Sequence, residues 1–182
     1  MATQKLVATL KEKAEAVQVV VTQVPSREAA FAYAIKITRE QGGASIAAPG
    51  WDAESLAALK ADCQQAGLEL LGENLRERAA AIHTGLTRAD WGIADTGTLV
   101  LDSSSEDLRL ATMLSETHIA VLPLSRLRAT ATDLEPEMNR LMQSPSNYLA
   151  FITGASRTAD IERVLTLGVH GPLELHLLLL KD

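Results

Sequence analysis

Residues 17–49, VQVVVTQVPSREAAFAYAIKITREQGGASIAAP, decide the fold. The β-branched run VQVVVTQV predicts a strand, and Pro25, which cannot donate to a ladder, ends it. Ser26 then stands where a helix cap belongs, ahead of REAAFAYAIKITREQGG, whose helix stops at Gly42 and Gly43. ASIAAP reads as a short buried strand. Strand, helix and strand in one such span make two parallel strands joined by a crossover helix.

The same alternation extends in both directions. Upstream, Leu6, Leu10 and Ala14 recur every four residues and predict an amphipathic helix. Downstream, DAESLAALKADCQQAG predicts a helix closed by Gly67, LELLGE a strand, and ENLRERAAAIHTG a further helix. Further strands are expected at TLVLD, within THIAVLPLSRLRA, at NYLAFITG and at LELHLLLL, and helices at DLEPEMNRLMQ and ADIERVLTLG. A turn should lead into TLVLD, with the polar loop DSSSED behind it. No internal repeat, low-complexity tract or linker breaks the chain. The expected class is α/β, with a mostly parallel sheet and helices on its faces.

Composition narrows the function classes. The sequence has 182 residues, the length of one ordinary domain, with 47% hydrophobic and 22% charged residues. Aromatics are 3%, so Ala, Leu, Val and Ile must fill the core. Lys and Arg number 17 against 23 Asp and Glu, a net charge of −6, which disfavours a nucleic-acid surface. One cysteine, Cys63, cannot by itself build a disulfide, a zinc site or an iron–sulfur cluster, and fits a reducing cytoplasm. The first residues lack the apolar core of a signal peptide, and LHLLLLK is too short to span a bilayer. A cytoplasmic chain without a membrane span is expected.

Three stretches could carry chemistry. In WGIADTGTLVLD, Gly92 and Gly97 stand where a phosphate-binding P-loop has its glycines. Thr98, however, replaces the essential lysine, and β-forming residues follow instead of a helix, which excludes that mechanism. What is left is a tight turn whose Gly92 and Gly97 permit close backbone approach and whose Asp95 and Thr96 offer polar groups. Asp95 could serve as a nucleophile or general base, or could simply bond its own backbone in a structural turn.

In the second stretch, Gly154-Ala155-Ser156-Arg157-Thr158 departs from a nucleophile elbow because Thr158 replaces the second glycine. A helix beginning near Ala159 would instead present free N–H groups to an anion, with Ser156, Arg157 and Thr158 as further donors. Asp160 and Glu162 would complement the same helix end, as in a purely structural start. In the third, Gly168 ends the helix and His170-Gly171-Pro172 turn into the last strand, where Glu174 and His176 share a face and could pair. The four histidines show no metal-binding spacing, so no metal site is expected.

GIADTGTLVLDSS, THIAVLPLSRL and ITGASRTADIERVLTLGVHGPLELHLLLLKD together resemble the LUD-domain family of LutC/YkgG-like lactate-utilisation proteins. The resemblance covers about residues 89–182 in motif, and the earlier part in layout, of a single domain 1–182. It implies a three-layer α/β/α sandwich of the NagB/RpiA/CoA-transferase-like kind. It also implies a non-redox subunit or ligand-binding component of a bacterial system that oxidises L-lactate to pyruvate, working with iron–sulfur oxidoreductase partner subunits that hold the clusters. Carried over by residue, it marks Gly92, Asp95, Thr96, Gly97 and Thr98, then Gly154, Ser156, Arg157, Thr158, Asp160, Gly168, His170, Gly171 and Pro172. Asp95 stands where relatives often have glutamate, and Ala155 where they often have proline. The expected ligand is a small anion, a carboxylate or a phosphate, with Asp95 and His170 as candidate catalytic groups. Other readings are a stand-alone enzyme similar to the CoA transferases or sugar-phosphate isomerases, using Asp95 as nucleophile or base, and a ligand-sensing or scaffold protein without chemistry.

Overall fold

The computed structural model describes residues 2–141, 143, 148–159 and 163–181. The opening helix α1 (Ala2–Glu15) buries Leu10 and Ala14 completely, so the four-residue stripe is its core face. It is followed by β1 (Val19–Val24) and α2 (Arg27–Glu40), which is capped by Ser26: its Oγ accepts from the Ala29 N–H at 3.3 Å. Next come β2 (Ser45–Ala47), α3 (Ala53–Ala66) and β3 (Glu69–Leu71). Asp52 caps α3, and Gly67 closes it in the left-handed region at φ 73°.

The next segment differs from expectation. ENLRERAAAIHTG forms only a 3-10 turn over Leu75–Ala81, and β4 (Thr84–Arg88) follows. Asn74 is left-handed, and the Leu75 N–H is held by the Asp107 carboxylate, which turns the chain before a helix can grow. β4 has few apolar residues because its buried threonines are satisfied inside the core. Thr84 Oγ1 lies 2.8 Å from Thr38 Oγ1, and Thr87 Oγ1 lies 2.8 Å from His118 Nε2.

A hairpin comes next, of β5 (Trp91–Ile93) and β6 (Thr98–Asp102), then α4 (Glu106–Leu114) and β7 (Thr117–Pro123). The expected polar loop is therefore a helix start: Ser105 caps α4 and two acids complete its first turn. β8 (Leu127–Arg128), α5 (Glu135–Leu141), β9 (Leu149–Ile152), β10 (Arg157–Thr158), β11 (Thr166–Leu167) and β12 (Glu174–Leu180) complete the chain. The helix expected over ADIERVLTLG is not formed by its described part. Arg163 sits in a turn, and Thr166–Leu167 pair antiparallel with Arg157–Thr158.

Six parallel strands form the central sheet in the order β1-β12-β7-β4-β2-β3, as the strand–helix–strand unit requires. One face carries α2 and α3, packing Phe31, Leu59 and Cys63 against Ile46, Leu86, Ile119 and Leu178. The other carries α1, α4 and a four-stranded sheet of order β8-β5-β6-β9. The expected sandwich is thus formed, with its second outer layer part helix and part sheet. β6 is buried on both sides: Leu99 and Leu101 face the central sheet, and Val100 packs with Trp91, Ile93 and Leu134. α4 crosses β4 so closely that a Cβ on Gly85 would stand 2.1 Å from the Ala111 carbonyl oxygen. Among the described residues, no helix is long and apolar enough to cross a membrane.

Candidate functional site

The β5–β6 turn is fixed from two sides. The Ala94 and Asp95 N–H groups donate to the Arg128 and Ala129 carbonyls, which tie it to the chain at and after β8. Gly97, at φ 67°, lies against the end of α1, where a Cβ would meet the Ala14 nitrogen at 2.5 Å. Gly154, at φ 83°, lies against the residues just beyond α1, where a Cβ would be 2.8 Å from the Val17 carbonyl oxygen. Two motif glycines therefore let the hairpin and the tail close on the same helix end. Gly92 packs inward: Leu122 and Leu127 cover the place of its missing side chain.

Pairing of β6 with β9 sets Leu99 opposite Ile152 and so brings Thr98 to Thr153. Thr98 Oγ1 donates to Thr96 Oγ1 at 2.8 Å and lies 2.7 Å from Thr153 Oγ1. The exposed Arg157 reaches back with one Nη2–H to the Thr153 carbonyl at 3.4 Å. The hydroxyls of Thr96, Thr98 and Thr153 thus form a chain, and the Arg157 guanidinium reaches the backbone of Thr153, a residue inside ITGASRT but not among the expected site residues. Its signal was weak, a hydroxyl at the end of an apolar strand just before a glycine.

The tail motif folds on itself. The Ser156 N–H donates to the Pro172 carbonyl, and the Gly168 N–H to the Ser156 carbonyl, each at 2.9 Å. Gly168 is left-handed at φ 71°, and Gly171 sits so close to Ser156 that an added Cβ would be 3.1 Å from the serine Cβ. Thr158 lies in β10, and Asp160 falls outside the described residues. Arg157 and Thr158 form a strand, so no helix start lies within the described residues up to Ala159.

Asp95 and His170 are both exposed, and no hydrogen bond or ion pair joins them. His170 instead lines an open groove of about 660 Å³ with Glu116, Met113, Leu114, Val169 and Leu173. Glu174 and His176 do pair, at 2.8 Å, and Tyr33 Oη holds the other ring nitrogen of His176 at 2.8 Å. This arrangement orients the ring at the start of β12. Among the described residues, no three of His, Cys, Asp and Glu gather closely enough to hold a metal ion.

The LUD domain family matches residues 7–180 of the chain. Lactate utilization protein C of Macrococcus caseolyticus is 34% identical over 113 residues, which is 60% of this chain and 48% of the relative. That of Bacillus subtilis is 30% identical over 147 residues, 79% of this chain and 58% of the relative. That of Geobacillus thermodenitrificans is 28% identical over 97% of this chain and 79% of the relative. The matched part spans about half the length of several of these relatives. In fold, the chain is similar to the crystal structure of a DUF162 family protein from Deinococcus radiodurans. The TM-score is 0.68 at 19% identity, covering 99% of both chains. The match over residues 7–180 takes in both outer layers and every motif described above, and the chain belongs to the LUD domain family.

Proposed function

We propose that this chain is a non-redox, ligand-binding component of a bacterial system that oxidises L-lactate to pyruvate, holding a small anion where the hairpin turn meets the tail. The observation that carries the reading is the convergence of the Thr96, Thr98 and Thr153 hydroxyls with the Arg157 guanidinium. A guanidinium has five N–H donors, and here Arg157 uses one, on the Thr153 carbonyl. The rest can meet a carboxylate or phosphate in charge-assisted bonds. The hydroxyl chain ends at exposed Thr96, which can turn a donor to the same ligand. Lactate utilization is the role named for its relatives.

Electron transfer falls to partner subunits in this reading. An iron–sulfur cluster needs several thiolates, whereas the single Cys63 is buried and its thiol is pushed up to about 11 by burial. In this reading the clusters belong to the oxidoreductase partners. Removing the chain from its bacterium tests the assignment. Growth on L-lactate should be lost and growth on pyruvate kept, with Arg157→Ala failing to restore it. Undiminished growth on L-lactate would refute the role.

A further inference from the structure

The central sheet changes its winding direction between β2 and β4. From β2 the chain leaves through α3 on one face to reach β3, and from β4 it leaves through α4 on the other face to reach β7. Strands whose connections diverge in this way leave a crevice beyond their carboxyl ends, the usual ligand position in open α/β sheets. A cavity of about 220 Å³ opens there. Pro49 and Gly50 beyond β2, Arg88 and Asp90 at the end of β4, and Arg126 beyond β7 line it. The Arg157 cluster contributes nothing to its walls.

The polar groups of this crevice are unequally satisfied. Asp90 Oδ2 accepts the Asp102 N–H at 2.7 Å, and Asp102 Oδ1 accepts from the Ser104 N–H and hydroxyl. Arg27, Arg76, Arg78 and Arg128 each pair with a carboxylate elsewhere. The Arg88 and Arg126 side chains make no hydrogen bond or ion pair among the described residues. Arg88 is nonetheless held in place: its guanidinium lies 5.8 Å from the centre of the Trp51 ring, and Trp51 is pinned by its Nε1–H to the Leu86 carbonyl at 3.1 Å. The crevice thus offers two free cationic donors, while each of its two carboxylates keeps one oxygen outside those bonds.

We propose that this crevice is a ligand site for a small hydroxylated oxyanion, its phosphate or carboxylate between Arg88 and Arg126 and its hydroxyls donating to Asp90 and Asp102. The volume, room for about seven waters at ~30 Å³ each, suits a three-carbon polyol acid or phosphate. The site is independent of the anion cluster at Arg157, and the experiment separates the two.

Calorimetric titration of the purified chain with inorganic phosphate, glycerol 3-phosphate, glycerate and glycerol reads the site directly. Glycerol 3-phosphate or glycerate should bind, more tightly than phosphate, and the preferred one identifies the head group; neutral glycerol should not. Arg126→Gln should weaken that binding by about tenfold or more, with the melting temperature unchanged because the exposed side chain has no partner to lose. Arg88→Gln should weaken it likewise, and Arg157→Ala should leave the affinity as it was. Absence of binding, affinity no better than that of phosphate, or binding insensitive to both Arg126→Gln and Arg88→Gln would overturn the proposal. So would binding abolished by Arg157→Ala alone.

Discussion

Replacing Gly97 with alanine tests whether this motif glycine serves packing. The residue holds φ 67°, a region that costs an L-residue roughly 1–2 kcal/mol. Its new Cβ would also stand 2.5 Å from the Ala14 nitrogen and 2.7 Å from the Lys13 carbonyl carbon, both backbone atoms of a helix that cannot swing aside. Overpacking of this kind typically costs about 1–3 kcal/mol, so Gly97→Ala should destabilise by about 3 kcal/mol in all. At about 2–4 °C per kcal/mol for a chain of this size, the melting temperature should fall by about 6–12 °C. Gly42→Ala is the control: φ is 76° but nothing lies within 4 Å of the added carbon, so only the backbone cost of roughly 1–2 kcal/mol applies. Thermal unfolding of both variants by circular dichroism isolates the clash. Equal losses in the two would refute the packing argument. Retained stability with lost anion binding in Gly97→Ala would return the residue to a ligand role.

His118 is fully buried against Thr87, and burial lowers its pKa from 6.5 to about 4. Between those values the unfolded chain takes up a proton that the folded chain refuses, so stability falls on acidification. The loss from this group should be about 2 kcal/mol between pH 7 and pH 5, measurable by urea unfolding, and His118→Gln should flatten the slope. Cys63, buried with a thiol pushed up to about 11, should resist an aromatic disulfide reagent at pH 8 and react at once in denaturant. Rapid labelling of the native chain would contradict its burial on the sheet-facing side of α3. Gly85→Ala should prevent folding or cost more than Gly97→Ala, since the Ala111 carbonyl oxygen lies 2.1 Å from the new carbon. Soluble expression with a near-normal melting temperature would mean that α4 does not cross β4 as described.

The elements legible in the sequence were those whose signals are local. Ser26 and Gly67 mark helix ends by hydrogen bonds and φ angles that depend on a few neighbouring residues. The apolar runs of β7 and β12 are buried on both faces. β4 escaped because Thr84 and Thr87 enter the core through partners 46 and 31 residues away. α4 escaped because serines beside acids signal both a loop and a helix start, and only packing of Leu108 and Ala111 decides. In the tail, Val164, Leu165 and Leu167 have helix-like spacing, yet Val164 and Leu165 are 59% and 63% exposed, so no core face holds a helix there. For the site, the motifs identified Thr96, Thr98 and Arg157 but not their meeting at Thr153, which follows from the β6–β9 register.

Thermal unfolding of the purified chain with L-lactate, pyruvate, phosphate, sugar phosphates, nucleotides and coenzyme A, repeated on Arg157→Ala, tests the ligand-binding claim most directly. A ligand at one hundred times its dissociation constant adds about 2.7 kcal/mol to stability, or about 5–11 °C here. One class of anion should produce that rise in the native chain, and Arg157→Ala should abolish it while melting normally without ligand, since the exposed arginine makes a single long bond to the Thr153 carbonyl. If every anion that raised the melting temperature did so equally in both proteins, or if none raised it, an anion site at the meeting of the hairpin and the tail would be contradicted.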